Sequence, residues 1–257
     1  MNDQLNAEEC RKIITKLAVL LPEALAAKFP RRPSFGFEKD EEEKPIRRTR
    51  WDPVFTGGGI VGLLITDSEA QQALFTKDVD VVLEIATNLE FQSMESALEH
   101  AGFTRRPGEE AERISWDWQG VRVDTLPNRR IISLPHNPWF VALMQSAQRF
   151  EVLPGRHAWI ASAPCFIATK FQAFWDRGRK DILKSKDLKD ILAVVNGRRE
   201  LPLEIKSAAP EVLRYLQLNF SRILEDGEIM ECLPQLVPED IREELVVRRM
   251  REICSKA

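Results

Sequence analysis

The spacing of apolar residues predicts an amphipathic helix near the start of the chain. Apolar side chains recur at three- and four-residue intervals over residues 13–25, and Asn6 precedes them as a capping residue. The helix is expected to end near Phe29. Residues 35–49 then carry an acidic run and a basic run without periodicity, which predicts an exposed loop. We therefore treat residues 1–50 as an N-terminal helix followed by a charged loop.

Between residues 51 and 135 the pattern alternates between the two-residue period of a strand and the longer period of a helix. The predicted elements are a strand at 53–56, a buried helix start at 60–64, a strand at 78–84, a helix at 88–102 and strands at 114–118 and 121–126. Gln119 and Gly120 separate the last two strands and indicate a hairpin. Interleaved helices and strands predict an α+β fold with a small mixed sheet, and residues 51–135 are assigned to this core.

From residue 136 onward the pattern is mainly helical. The predicted elements are a helix at 137–149, a strand pair at 151–161, helices at 165–177 and 185–197, and two or three more helices after residue 203. Pro234 and Pro238 are expected to break the last of these. We therefore assign residues 136–257 to a mainly helical C-terminal domain.

Composition and charge describe an ordinary globular protein. The chain has 44% hydrophobic and 30% charged residues, and its formal net charge of −3 gives no global basic field that would recruit nucleic acid. Its apolar stretches are too short or too interrupted to span a bilayer, and its first residues lack a signal-peptide pattern. The four cysteines have no zinc-ligand spacing. We therefore predict reduced thiols, a cytoplasmic location and no membrane partner.

The strand predicted at 78–84 carries two acidic residues, Asp78 and Asp80, on one face. Side chains alternate faces along a strand, so Val79 and Val81 turn into the core while the two carboxylates lie side by side. Two neighbouring carboxylates repel each other unless a cation or a proton relieves them. A hard divalent ion such as Mg²⁺ prefers oxygen ligands, so Asp78 and Asp80 are predicted to bind Mg²⁺.

Asp124 is the best candidate for a third acidic ligand. It interrupts an apolar strand, in which Val121 and Val123 alternate with Arg122 and Asp124. A site with three such acids can hold two metal ions about 4 Å apart, and Asp124 could also act as a base on an attacking hydroxyl. The alternative is that Asp124 only ends its strand or pairs with a residue next to Arg122.

Lys170 lies within the otherwise apolar helix predicted at 165–177. A lysine in such a position extends its ammonium group to solvent or meets an anion, and phosphate is a fitting anion. Arg177 follows at the helix end, and Asp187 and Asp190 lie three residues apart on one face of the next helix. The two acids could instead pair with Lys170 or Arg177 for purely structural reasons.

A glycine run precedes the acidic pair. Thr56 is followed by Gly57, Gly58 and Gly59, and the run begins about twenty positions before Asp78. A glycine turn lets a phosphate approach the backbone, with the N-terminus of a helix behind it. The run and the acidic pair together predict a site for a metal ion and a nucleotide.

These residues resemble the polymerase-beta-type nucleotidyltransferase superfamily. The glycines, the Asp78-Val79-Asp80 motif and Asp124 resemble its core, and the segment from Lys170 to Asp190 resembles AbiEii-type nucleotidyltransferase toxins and their bacterial relatives. The resemblance covers roughly residues 50–200. The family has a serine or threonine where this chain has Gly59, and Thr56 is the hydroxyl residue that could substitute from the other side of the turn.

The resemblance implies roles for the individual residues. Those implied to be catalytic are Asp78, Asp80, Asp124 and Lys170, of which the three acids also bind metal and Lys170 holds the triphosphate. Those implied to bind the nucleotide are Thr56, Gly57, Gly58, Gly59, Arg177, Asp187 and Asp190. The implied reaction is Mg²⁺-dependent transfer of a nucleoside monophosphate from an NTP to RNA such as tRNA, to a protein or to a small molecule. A toxin or phage-defence role would imply a cognate antitoxin as partner.

Two other functions use the same residues. The first is a nucleotidyltransferase-fold protein that binds a partner without catalysis, which the missing hydroxyl at Gly59 and the long C-terminal helices favour. The second is a hydrolase that acts on phosphate esters. The three histidines are not grouped in the sequence, so catalysis by a histidine is not expected.

Overall fold

The computed structural model describes residues 4–29, 48–70, 76–105, 114–131, 134, 136–237 and 240–255. Within these ranges the chain forms one seven-stranded mixed sheet and ten α-helices. The strands are β1 (Val54–Thr56), β2 (Asp78–Leu83), β3 (Thr104–Arg105), β4 (Ser115–Trp118), β5 (Val121–Pro127), β6 (Gln148–Leu153) and β7 (Arg156–Ile160). The helices are α1 (Ala7–Lys28), α2 (Val61–Leu64), α3 (Asn88–His100), α4 (Phe140–Gln145), α5 (Ala163–Asp176), α6 (Lys186–Gly197), α7 (Leu201–Lys206), α8 (Pro210–Glu225), α9 (Gly227–Leu236) and α10 (Asp240–Cys254). The predicted α+β class is confirmed.

The sheet has the strand order β3-β4-β5-β2-β1-β7-β6. Pairing is parallel between β2 and β5 and between β1 and β7, and antiparallel elsewhere. Strand β2 is paired on both sides, with β5 over its whole length and with β1 over three residues. Its Val79 and Val81 are buried, whereas Asp78 and Asp80 are partly exposed, which confirms the predicted alternation.

Helix α1 begins with a capping box. The Asn6 side chain accepts a hydrogen bond from the backbone N–H of Glu9, and the Glu9 carboxylate accepts one from the backbone N–H of Asn6. Its buried face includes Ile14, Leu17 and Leu21, and the helix packs against α3, β6 and β7. The predicted N-terminal helix is confirmed, because its apolar stripe has a sheet and a helix to bury it.

The helical half of the chain shares one core with the sheet. Helices α5 and α6 pack against each other, while α8 packs against α5 and α10 packs against both α6 and α8. The buried apolar cluster extends without a break from Ile14 to Ile253. Strands β6 and β7 follow residue 135 in the chain, and β7 pairs with β1. The predicted division at residue 135 therefore does not separate the sheet from the helices.

The helix predicted at 137–149 is too long at both ends. Helix α4 covers only Phe140–Gln145, and Arg149 lies in β6, where it pairs with Trp159 on β7. The Asn137 side chain accepts a hydrogen bond from the backbone N–H of Trp139, which turns the chain before the helix starts. Arg149 lies in a strand because it pairs with β7, and the local pattern of apolar residues does not reveal which strands pair.

Pro234 lies inside the last turn of α9 and does not break it, so that prediction is wrong. Pro238 and the part of the predicted loop at 35–47 lie outside the described residues.

Of the helices that the structure describes, none combines the length and the apolar character that a membrane crossing requires.

Candidate functional site

The register of the sheet brings the predicted acids together. Asp80 on β2 is the cross-strand partner of Asp124 on β5 and of Thr56 on β1, and Asp124 is in turn the partner of Ser115 on β4. Cross-strand partners share a face, and neighbouring strands lie about 4.8 Å apart. One row of polar side chains therefore crosses four strands in the order Ser115, Asp124, Asp80, Thr56.

Asp124, Asp80 and Thr56 of this row line a cavity of about 1150 Å³. The cavity is formed between the sheet and the segment that contains α5 and α6. Every predicted site residue except Gly59 lines it: Thr56, Gly57, Gly58, Asp78, Asp80, Asp124, Lys170, Arg177, Asp187 and Asp190. Residues that are distant in the sequence are thus assembled around one space.

The carboxylates on β2 lie in an electrostatically strained environment. Burial, together with the charges of Asp78 and Asp124, raises the pKa of Asp80 to about 7, although Lys170 and Arg122 act in the opposite direction. The Asp78 carboxylate accepts a hydrogen bond of 3.0 Å from the hydroxyl of Thr76. Among the described residues neither Asp78 nor Asp80 forms an ion pair. Their negative charge is therefore not compensated by an ion pair within the described part of the chain.

Gly57 allows the backbone to lie directly against Asp80. Its φ is +69°, and a Cβ at this position would lie 1.7 Å from Oδ2 of Asp80. Both the backbone conformation and the close contact exclude a larger residue. Gly58 is also tight, since a Cβ there would lie 3.0 Å from the Thr76 hydroxyl. The turn therefore serves to hold the chain close to the carboxylates.

Gly59, in contrast, lies outside the cavity lining. A Cβ there would meet the carbonyl oxygen of Asp78 at 3.7 Å and the sulfur of Cys10 on α1 at 3.9 Å. The hydroxyl on the cavity side of the turn belongs to Thr56, which is 4% exposed, and its Oγ1 has no hydrogen-bond partner in the described part of the chain. Thr56 is therefore the residue of this turn with an unused polar group at the site.

The helix behind the glycines is shorter than expected. The turn continues as a single 3₁₀ turn at Gly58–Ile60, and α2 has only four residues. A segment this short has a small dipole. The predicted contribution of a helix N-terminus to phosphate binding is therefore not supported by the geometry.

Asp124 is held by its own strand and by β4. The Arg122 guanidinium donates from Nε to Oδ1 and from Nη2 to Oδ2 of Asp124, both at 2.9 Å, and the Ser115 hydroxyl donates to Oδ1 at 2.7 Å. Arg122 also donates to the Ser115 hydroxyl at 3.0 Å. Asp124 thus lies beside Asp80, where the sequence predicted it, and is at the same time bound in a bidentate ion pair.

Lys170 occupies the opposite wall and is also paired. Its Nζ lies 2.6 Å from a carboxylate oxygen of Asp190 and 3.3 Å from one of Asp187. Burial by itself would lower the pKa of Lys170, but the charges of Asp190, Asp187 and Asp80 raise it above its ordinary value. Arg177 holds the other side of Asp187 at 3.1 Å. Lys170 is therefore a fixed cation, and the structural pairing considered for these four residues is present.

The donor set is suited to one hard cation on β2. Asp78 and Asp80 offer carboxylate oxygens on one face beside a cavity with room for further oxygen ligands. The raised pKa of Asp80 indicates a charge that a cation would relieve. In the described ranges no group of three or more His, Cys, Asp or Glu side chains is arranged to hold a metal ion. Asp124 already accepts three hydrogen bonds from Arg122 and Ser115, which leaves one acceptor position, on Oδ2, for a metal ion.

Sequence reasoning did not assign a role to four residues that surround the acids: Thr76, Ser115, Arg122 and His136. The alternation of residues 121–124 already placed Arg122 on the same face as Asp124, so this signal was available.

Comparison with known proteins adds no assignment: no family model matches the chain, and no curated protein is significantly similar to it.

Proposed function

We propose that the protein is a Mg²⁺-dependent nucleotidyltransferase that transfers a nucleoside monophosphate from an NTP to an acceptor. The observation that carries this proposal is the row of Thr56, Asp80 and Asp124 in register, with Asp78 beside it, in a cavity whose opposite wall carries Lys170. The arrangement supplies oxygen ligands for a metal ion and a cation for phosphate within one space.

Asp78 and Asp80 would hold Mg²⁺ in this cavity. The ion, when bound, neutralises phosphate oxygens and polarises the phosphorus centre that is attacked. Thr56 has an unpartnered hydroxyl next to Asp80 that can bind a phosphate oxygen or a water molecule. Gly57 is buried against Asp80, and Gly58 is partly exposed at the cavity, so Gly58 is the glycine whose backbone the triphosphate would approach. The protein's contribution to rate would come from positioning and charge, as is usual in phosphoryl transfer.

Lys170 would act as a positive charge at a fixed place. Asp187 and Asp190 restrain its ammonium group, so it does not need to be ordered when the nucleotide enters. The same two carboxylates neutralise part of its attraction for phosphate. We therefore assign Lys170 a role in orienting the triphosphate rather than in providing most of its binding energy.

The test is transfer of label from α-³²P-NTPs, each of the four in turn, to total RNA, to total protein and to the protein itself. Asp78→Ala/Asp80→Ala should abolish Mg²⁺-dependent transfer. Asp181→Ala is the matched control, because Asp181 lines the cavity mouth but pairs with the exposed Lys184 at 3.0 Å. Equal labelling by the double variant and the wild type would refute the proposal.

A second candidate function is a binding protein of this architecture without catalysis. The pairing of Asp124 with Arg122, and of Lys170 with Asp187 and Asp190, favours it, because these groups are satisfied within the chain. Isothermal calorimetry with Mg²⁺ and each NTP separates the two functions. Absence of heat at millimolar concentrations would support the binding protein, whereas nucleotide binding that is lost in Asp80→Asn would support the enzyme.

The acceptor is left open by this proposal. RNA such as tRNA, a protein or a small molecule would each present a hydroxyl to the cavity, and a cognate antitoxin stays a prediction. The labelling experiment above distinguishes RNA from protein as the acceptor, because the two labelled products separate on a denaturing gel. The same reaction with a small-molecule extract, resolved by thin-layer chromatography, tests the third class.

A further inference from the structure

Arg122 is the one described cation that both lines the cavity and binds a carboxylate of the row across the sheet. It makes two parallel hydrogen bonds of 2.9 Å to the two oxygens of Asp124 and a third, of 3.0 Å, to the Ser115 hydroxyl. A planar guanidinium matches a carboxylate in this bidentate form better than a lysine would. The contact is therefore a built part of the site.

The position of Arg122 in the sheet gives it influence on all three acids. It is the cross-strand partner of Asp78, just as Asp124 is the partner of Asp80. Its guanidinium is stabilised in the charged form by Asp124 above all, and also by Asp78 and Asp80. The carboxylates of Asp78, Asp80 and Asp124 and the guanidinium of Arg122 form an acidic patch. Its formal charge of −2 is neutralised by one divalent cation.

The two halves of the patch differ in what a metal ion would have to displace. At Asp78 and Asp80 a cation meets carboxylates that have no ion pair among the described residues. At Asp124 it would meet a carboxylate that already accepts three hydrogen bonds and has one acceptor position left, on Oδ2, and it would lie beside the positive charge of the partly buried guanidinium. Electrostatics therefore favours the first position and opposes the second.

Building on the proposed function, we infer that Arg122 supplies the positive charge that a second metal ion would provide, and that the site binds a single divalent cation, at Asp78 and Asp80. Arg122 is then a charge-neutralising and positioning residue that fixes the Asp124 carboxylate. The chain thereby departs from the two-ion site that its sequence suggested.

The experiment counts ions on the whole chain. Mn²⁺ binds oxygen ligands as Mg²⁺ does and is visible by electron paramagnetic resonance, so the metal-free protein is titrated with Mn²⁺ alone and the free ion is measured. We expect one Mn²⁺ per chain, lost in Asp80→Asn. Two ions of comparable affinity per wild-type chain would overturn the inference and leave the proposed function intact. No bound Mn²⁺ would overturn both.

Substitutions test the role of Arg122 itself. Arg122→Met should allow a second Mn²⁺ per chain or tighten binding of the first at least tenfold, because the guanidinium no longer opposes it. Arg149→Met is the control, since Arg149 is exposed on β6 and outside the cavity lining. Unchanged stoichiometry and affinity in a folded Arg122→Met protein would contradict the inference.

Asp124→Asn decides the question if Arg122→Met does not fold, as judged by circular dichroism. An amide keeps the shape of the side chain and removes the charge. If Arg122 replaces the second ion, Asp124→Asn still binds one Mn²⁺ per chain. Loss of the single Mn²⁺ in a folded Asp124→Asn protein would show that Asp124 is a metal ligand and would refute the inference.

Discussion

Asp80→Asn is expected to stabilise the metal-free protein at neutral and alkaline pH. Asp80 is crowded by two other carboxylates, Asp78 and Asp124, and lies against Gly57, at which even a Cβ would clash with it. An amide has nearly the same shape and no charge, so the substitution removes repulsion without creating a cavity. Stability gained by removing a site residue is a common trade between function and folding.

The size and the pH dependence of the effect follow from the pKa of Asp80. A rise from 3.8 to about 7 corresponds to roughly 4 kcal/mol, at about 1.4 kcal/mol per pKa unit. Between about pH 4 and pH 7 the folded protein keeps a proton on Asp80, whereas the unfolded chain has lost it. The free energy of unfolding of the wild type therefore falls as the pH rises through this window. The gain from Asp80→Asn should therefore be near zero at pH 4 and reach about 1–4 kcal/mol at pH 8.

The assay is urea denaturation, followed by tryptophan fluorescence, at pH 4.5, 6 and 8 with EDTA present. Asp67→Asn is the contrasting control, because Arg242, at 2.8 Å, lowers the pKa of buried Asp67 to about 2. The Asp67 carboxylate stabilises the folded protein at pH values above the pKa that it has in the unfolded chain, and this stabilisation is lost as the pH falls toward 2. Asp67→Asn should therefore lower the free energy of unfolding by about 2 kcal/mol at pH 6 and 8. A destabilised Asp80→Asn protein, or a gain that does not change with pH, would refute the reasoning.

Three further predictions concern the glycine turn and Lys170, and each is measured as the free energy of unfolding in urea. Gly57→Ala should cost about 2–4 kcal/mol, because the new Cβ would lie 1.7 Å from Asp80 at a φ of +69°. Gly59→Ala should change stability by less than about 1 kcal/mol, since its nearest contact would be 3.7 Å away, and an equal loss for both glycines would contradict the geometry. Lys170→Met should cost about 3 kcal/mol by leaving Asp190 without its cation, and adding Asp190→Asn should recover part of this loss; no recovery would refute the pairing.

Some features of the site are fixed by local sequence. The two-residue period of β2 places Asp78 and Asp80 on one face and sends Val79 and Val81 inward, whatever the strand pairs with. Gln119 and Gly120, with φ of 54° and 81°, form the turn that their residue types predicted. These features were predictable because they depend on covalent geometry and on neighbours within a few residues.

The assembly of the site was decided by tertiary structure. Periodicity reports which face a side chain takes, but not which strands pair or in what register. The pairing of β2 with β5 sets Asp124 beside Asp80, and the packing of α5 and α6 near the sheet brings Lys170 to the opposite wall. A register shift of one residue would turn Asp124 to the other face. The sequence therefore identifies the acidic residues, but the strand pairing and its register determine that Asp80 and Asp124 lie side by side.

The sequence also could not tell which charges would already be compensated. Lys170 was compatible with a cation that meets phosphate and with one paired inside the chain, and the fold pairs it with Asp187 and Asp190. The fold likewise pairs Arg122 with Asp124. Ion pairs form between groups that packing holds within about 4 Å, and that distance is a property of the folded chain alone. The sequence by itself determined a strand with two carboxylates on one face; the tertiary structure decided how much of their charge is compensated within the chain.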